Sequence, residues 1–284
     1  MRRFVAGATF MLLALAGLVV APNPARAAVG GGVFSVKCTF SHSAQVDPIV
    51  AHGPIGTLSD HEHDFFAART VNSDSTLESM RGGGTTCPLS ADTAGYWIPS
   101  LYKNGQKVQP RHIFVYYRSP SDVLVTPFPE DLRVIAGGDT RFPPAPTRPQ
   151  LSLSWACSDS APFYTQPPNC GSLKLKAHVH FPNCWDGINI DSADHRAHMA
   201  YSTGKKCPAS HPVLLPRLSM HITFDISDGR GATLTSDHAA PGGSQLHADF
   251  WNAWDQQILG LLVNRCLNTG RSCTQMTDQK LANI

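Results

Sequence analysis

Trp185, Asp186, Asp191, Asp194, His195, His198 and Tyr201 all fall between Cys184 and Cys207. Glycoside hydrolysis uses two carboxyl groups, one protonated for the leaving oxygen and one ionised. Eliminative cleavage of a uronate polymer needs a base for the C5 proton and an acid for the leaving oxygen. His198 and Tyr201 are candidates for those two jobs. A local reading competes with both: Asp186-Gly187 favours a β-turn, where an aspartate bonds its own backbone.

A second constellation is His61-Glu62-His63-Asp64-Phe65-Phe66. In a strand, His61 and His63 project to the same side. Imidazoles so placed can ligate a divalent metal, with Asp64 or a distant carboxylate completing the shell. They can also carry a proton, with Asp64 orienting the ring, or form a structural pair. His247-Ala248-Asp249-Phe250 repeats the order histidine, then Asp-Phe. Tyr96, Trp97 and Trp185 are candidate stacking platforms for pyranose rings. The mixture of acids, imidazoles and flat rings points to a sugar ligand.

Other chemistries are disfavoured. The chain lacks a Gly-x-Ser-x-Gly elbow, a phosphate loop and a dinucleotide fingerprint. Charged residues are 15% and the net charge is +2, with no basic run to mark a nucleic-acid partner. No Cys-x-x-Cys spacing suggests a zinc-thiolate module.

These residues must be positioned by an exported scaffold. Arg2 and Arg3, the apolar run Phe4 to Val20 and the small-x-small Ala25-Arg26-Ala27 read as a secretory leader over residues 1–27. Once it is cleaved, residues 28–284 are expected to form one secreted, extracellular domain without a membrane anchor. Eight cysteines, all after the leader, imply disulfides. Proximity favours Cys157–Cys170, Cys184–Cys207 and Cys266–Cys273, leaving Cys38–Cys87, among roughly a hundred formal pairings.

Gly 23 and Pro 22 favour turns over long helices. Leu173, Leu175, Ala177, Val179 and Phe181 alternate with Lys174, Lys176, His178 and His180, so the histidines are expected on a solvated strand face. His221 to Ser227 alternates too, and Ile113–Tyr117 and Leu132–Ile135 are shorter strand-like runs. Arg141 to Pro149 can be neither helix nor central strand. Phe250, Trp254, Ile258, Leu261, Leu262 and Cys266 recur at helical spacing, with Asp249 at the expected N-terminus and Trp254 in the core. The pattern predicts a mainly β fold, an antiparallel β-sandwich of jelly-roll-like form with a C-terminal helix and disulfides.

Seven motifs, taken in order, resemble a secreted family of bacteria and fungi known as domain of unknown function 1996. They are Gln45-Val46-Asp47-Pro48-Ile49-Val50, His61-x-His63-Asp64-Phe65-Phe66, Tyr96-Trp97-x-Pro99-x-Leu101-Tyr102, Phe181-Pro182-x-Cys184-Trp185-Asp186-Gly187, His195-x-x-His198-Met199-Ala200-Tyr201, Cys207-Pro208-x-x-His211-Pro212 and His247-Ala248-Asp249-Phe250. The resemblance implies an extracellular polysaccharide context, since fungal members often carry modules that bind cell-wall carbohydrate. It brings no catalytic residues. Ala67 stands where the family usually has glycine.

The expectation is a carbohydrate-active protein, hydrolase or lyase, with a polysaccharide or cell-wall glycan as partner. Its catalytic candidates are His63, Asp64, Asp186, His198, Tyr201, His247 and Asp249. Asp47, Tyr96, Trp97 and Trp185 are the candidate substrate contacts. The alternatives are a non-catalytic glycan binder and a metal-dependent hydrolase with His61 and His63 as ligands. The cofactor is open between none and a divalent metal.

Overall fold

A computed structural model describes residues 30–137, 152–238 and 242–284. The expected leader and the proline-rich stretch 141–149 lie outside the described residues. Alternation dominates what is described. The strands of the main sheet are β1 (Val33–Ala44), β2 (His63–Ala67), β3 (Gly95–Pro99), β6 (Pro110–Arg118), β7 (Arg133–Gly137), β8 (Leu153–Ala156), β9 (Phe163–Tyr164), β10 (Lys176–His180), β14 (Arg217–Phe224), β16 (His247–Trp251) and β17 (Ser272–Cys273). Two small sheets combine β4 (Leu101–Lys103), β5 (Gln106–Val108) and β15 (Ala232–Leu234), and β11 (Cys184–Trp185), β12 (Met199–Ala200) and β13 (Val213–Leu214).

The main sheet runs β7-β16-β3-β2-β1-β6-β14-β10-β8-β9, with β17 added parallel to β1 and every other pair antiparallel. It curls so that both halves present one face to a common core, as the layers of a sandwich do. Phe34 and Val36 (β1), Ile113 and Val115 (β6), Ala177 and Val179 (β10), Met220 and Ile222 (β14) and Phe250 (β16) line that interior. A smaller cluster lies on the outer face of the β2-β3-β16 half, where Phe65, Trp97 and Trp251 meet Ile49 and Val71 from covering loops and Met80 from a short helix, Leu77–Gly82. The period of two therefore divides β2: Phe66 faces the main core and Phe65 the outer cluster.

All four favoured disulfides are present: Cys38–Cys87, Cys157–Cys170, Cys184–Cys207 and Cys266–Cys273. Among the described residues no helix is long and apolar enough to cross a membrane.

The C-terminal helix exists but starts later than its spacing suggests. Phe250 belongs to β16, paired on both edges, and the helix is Gln256–Leu262. Its N-cap is Asp255, whose carboxylate accepts from the Gln257 and Ile258 N–H groups. Asp249 is not a cap. Trp254 is buried as expected, donating its indole N–H toward the Tyr96 and Tyr117 hydroxyls. The helix continues as a π-turn, Val263–Leu267, ended by Asn268.

Two further expectations are corrected. Leu173 precedes its strand and is exposed. His178 is not solvated: it is 1% exposed, stacked on His221 and covered by Phe163. Ala67 keeps the backbone of a glycine, with φ of 62°, and the Thr86 hydroxyl and carbonyl-directed N–H hold it there.

Candidate metal centre

His63 and His247 stand on β2 and β16, on the outer face of the sheet, with Asp249 two residues after His247. His61 lies just before β2 and shares the side of His63, their ring centroids 4.3 Å apart. Asp47 comes from the covering loop, where its Oδ1 accepts from the Ile49 and Val50 N–H groups. Its Oδ2 lies 4.0 Å from His63 Nε2.

The hydrogen bonds fix the tautomers. His63 Nδ1–H donates to the Val46 carbonyl at 2.9 Å, and His247 Nδ1–H to the Gln245 carbonyl at 3.1 Å. His61 Nδ1–H donates to Asp60 Oδ1 at 2.5 Å. That leaves three Nε2 lone pairs converging. His247 Nε2 is 3.2 Å from His61 Nε2 and 3.4 Å from His63 Nε2. Two nitrogens bound tetrahedrally at the usual zinc distance stand about 3.3–3.4 Å apart. Facing lone pairs repel unless a proton or a cation lies between them.

The carboxylates add to this. Asp249 is buried, and neither of its oxygens has a hydrogen-bond partner. Burial pushes its carboxyl well above the usual range; Asp47 pushes the same way, and Arg196 opposes. Burial also raises Asp47, against its two backbone N–H donors and the nearby His61 and His195. Burial and neighbouring imidazoles hold His63 well below its ordinary value, and His247 falls to about 3 by burial and the charge of His61. Without a cation the cluster must shed charge. A divalent ion would use all three imidazole lone pairs, with the two carboxylates beside His63 to balance its charge. His61, His63 and His247 thus form a donor set that fits a borderline-soft divalent metal, and Asp47, His63 and Asp249 form an adjoining set that shares His63. Each histidine already has the outer partner that metal-ligating imidazoles normally keep.

His61 is the open side. Its side chain is 11% exposed, and it borders a cavity of about 400 Å³ lined also by Gln45, Asp60, Glu62, Tyr102 and Thr235. Tyr102 donates to Glu62, which also pairs with Lys107.

A family model described as "Domain of unknown function (DUF1996)" matches residues 47–254. The chain belongs to that family. No curated protein and no solved structure matches it. The DUF1996 span begins at Asp47 and includes every donor of the centre.

Several expected site residues of this DUF1996 protein lie elsewhere. Asp64 points to the opposite face from His63, where its Oδ1 meets Ser43, Ser100 and Lys107 at 2.6, 2.8 and 3.0 Å and its buried Oδ2 has no hydrogen-bond partner. It neither orients His63 nor joins its shell, because neighbours along a strand face opposite ways. Asp186 is a turn residue: its carboxylate accepts from the Ile188 and Asn189 N–H groups and the Asn189 amide. Both nitrogens of His198 are engaged, with Ser192 Oγ at 2.9 Å and the Arg133 carbonyl at 2.6 Å, so it pegs the 184–207 excursion to β7. The Tyr201 hydroxyl donates to the His180 carbonyl, and burial pushes its pKa up to about 12. Tyr96 and Trp97 are fully buried and offer no ring face to a sugar. Trp185 packs against the core while its indole donates to Asn189.

The excursion does reach the centre, through His195, part of the acid- and imidazole-rich group named from the sequence, and Arg196, which was not among the candidates. Arg196 donates to the Gly137 carbonyl, opposite His247 in the β7–β16 register, and its charge acts on His247 and Asp249. His195 adopts φ of 56° and acts on Asp47. Arg196 lies inside the His195-x-x-His198 motif, which was the available signal, overshadowed there by the pair His198 and Tyr201.

Proposed function

We propose that this protein is a secreted, metal-dependent hydrolase of a neutral, polyhydroxylated polymer such as a cell-wall glycan. The observation that carries this reading is the convergence of three imidazole lone pairs beside two buried carboxylates, one of them with no partner. A divalent cation held there supplies Lewis acidity and makes water a nucleophile near neutral pH. His61 links that centre to the cavity, and Asp60 fixes its ring and can take up positive charge from it. Glu62, Gln45, Tyr102 and Thr235 offer hydrogen-bonding groups to hydroxyls. Four disulfides and the leader-like N-terminus support export.

Hydrolysis is favoured over elimination. Asp60 and Glu62 line the cavity and disfavour a uronate polymer, and the His198 and Tyr201 that elimination would employ are spent on backbone carbonyls. A purely binding role is disfavoured because Tyr96 and Trp97 are sealed in the interior.

The test is metal analysis of purified protein followed by a polysaccharide panel scored for new reducing ends. Activity should vanish on chelation, return with Zn(II) or another divalent ion, and be absent in His63→Ala and His247→Ala. Reducing ends that resist chelation would overturn the metal role. An unsaturated product absorbing in the ultraviolet would overturn hydrolysis, and saturable glycan binding without product would overturn catalysis.

A further inference from the structure

A second group of histidines lies on the other half of the sheet, outside the centre just described. His178 on β10 and His221 on β14 are directly paired across the strands, their rings stacked with centroids 4.0 Å apart and planes 20° apart. Both are more than nine-tenths buried, on the outer face, beneath the loop closed by Cys157–Cys170. That loop places Asp159 over the pair. Asp159 Oδ1 is 3.2 Å from His221 Nδ1 and 3.7 Å from His178 Nε2. These separations match the edges of a coordination polyhedron with bonds of about 2.0–2.2 Å.

The surroundings are underfilled. His178 Nε2, His180 Nδ1, His221 Nε2 and Thr223 Oγ1 are buried polar atoms without a hydrogen-bond partner, and such atoms rarely stay unpaired in a folded protein. From this geometry we infer a second, independent metal site formed by Asp159, His178 and His221, taking a borderline divalent ion such as Zn(II) or Cu(II). The ligand set is two imidazoles and one carboxylate, with further positions open to water beside the half-exposed Asp159. It does not form a binuclear pair with the His63 centre. β2 and β14 are separated by β1 and β6, so the sites lie three strand spacings apart, about 14 Å along the sheet.

Lys176 sharpens the test. Its ammonium is 2.8 Å from the same Asp159 Oδ1, in a partly exposed ion pair of the kind that is easily exchanged. A bound cation must displace it. Removing the ammonium should therefore tighten metal binding at this site, which a merely structural cluster would not do.

The experiment is titration of chelator-stripped full-length protein with Zn(II) by calorimetry, with stoichiometry checked by elemental analysis and fold by circular dichroism. One equivalent should be lost in Asp159→Asn, a change at a half-exposed side chain, and in His221→Gln. That equivalent should survive in His247→Ala, which separates this site from the first. Lys176→Gln should bind it roughly tenfold more tightly, the reach of one removed charge competitor. In Cu(II)-loaded His247→Ala, the electron paramagnetic resonance spectrum should show coupling to two nitrogens. Unchanged stoichiometry in folded Asp159→Asn and His221→Gln would overturn the inference, as would unchanged affinity in Lys176→Gln.

Discussion

Asp249→Asn separates a metal ligand from a structural carboxyl. Both Asp249 oxygens are buried and unpartnered, and the side chain stands in one donor group with the lone pairs of His63 and Asp47. An unpaired buried polar group costs about 1–3 kcal/mol. Asparagine has nearly the same shape, carries no charge and brings an NH₂ able to donate to those lone pairs. The metal-free variant should therefore be more stable than the metal-free parent, by about 1 kcal/mol, or roughly 2–4 °C in Tm for a chain of this size. Metal should reverse the ranking. At a hundredfold excess over Kd, a ligand that binds only the folded state adds about 2.7 kcal/mol, a rise of roughly 5–10 °C in the parent. The variant should lose most of that rise. Thermal melts of both proteins, chelated and then loaded with Zn(II), measure all four values. A variant that is less stable without metal yet shows the parent's full metal-induced rise would refute the ligand assignment.

Three further outcomes follow from the same structure. Asp64→Asn should destabilise the protein by about 2 kcal/mol in urea melts, through loss of the partly shielded Lys107 pair, while metal content stays unchanged. Asp186→Ala should leave activity and metal binding intact and alter stability by no more than about 1 kcal/mol, because the residue serves a surface turn. Asp92, buried against the Tyr96 hydroxyl, has its pKa raised by burial to about 8. A carboxyl with a raised folded pKa contributes stability that is present below its unfolded value near 4 and is lost as pH rises toward 8. Urea midpoints should therefore fall across that window and flatten in Asp92→Asn, by up to a few kcal/mol at about 1.4 kcal/mol per pKa unit.

Local rules were the legible part of this sequence. The period of two announced the strands, and cysteine proximity matched three disulfides, with Cys38–Cys87 as the remaining pair. The spacing of His61 and His63 foretold their shared side. The same alternation should have sent Asp64 to the other face, but proximity in sequence made it look like a partner. Asp249 was misplaced because Phe250 and Trp254 happen to stand four apart, although one lies in a strand and the other follows it. Density of acids between Cys184 and Cys207 suggested a centre, yet Asp186 and His198 satisfy themselves locally. What the sequence could not reveal was convergence: Asp47, His61, His63, His247 and Asp249 meet only because β2, β3 and β16 are adjacent and one loop folds over them.

The division of β2 and β16 between two faces also limits how this protein can vary. Losing or gaining one residue within either strand would swap the two faces, thrusting imidazoles into the main core and moving Phe66 or Phe250 out of it. Length changes should thus be forbidden in these two short segments. The exposed crest around Ile55 and Gly56, remote from any pairing constraint, is where insertions can accumulate at little cost.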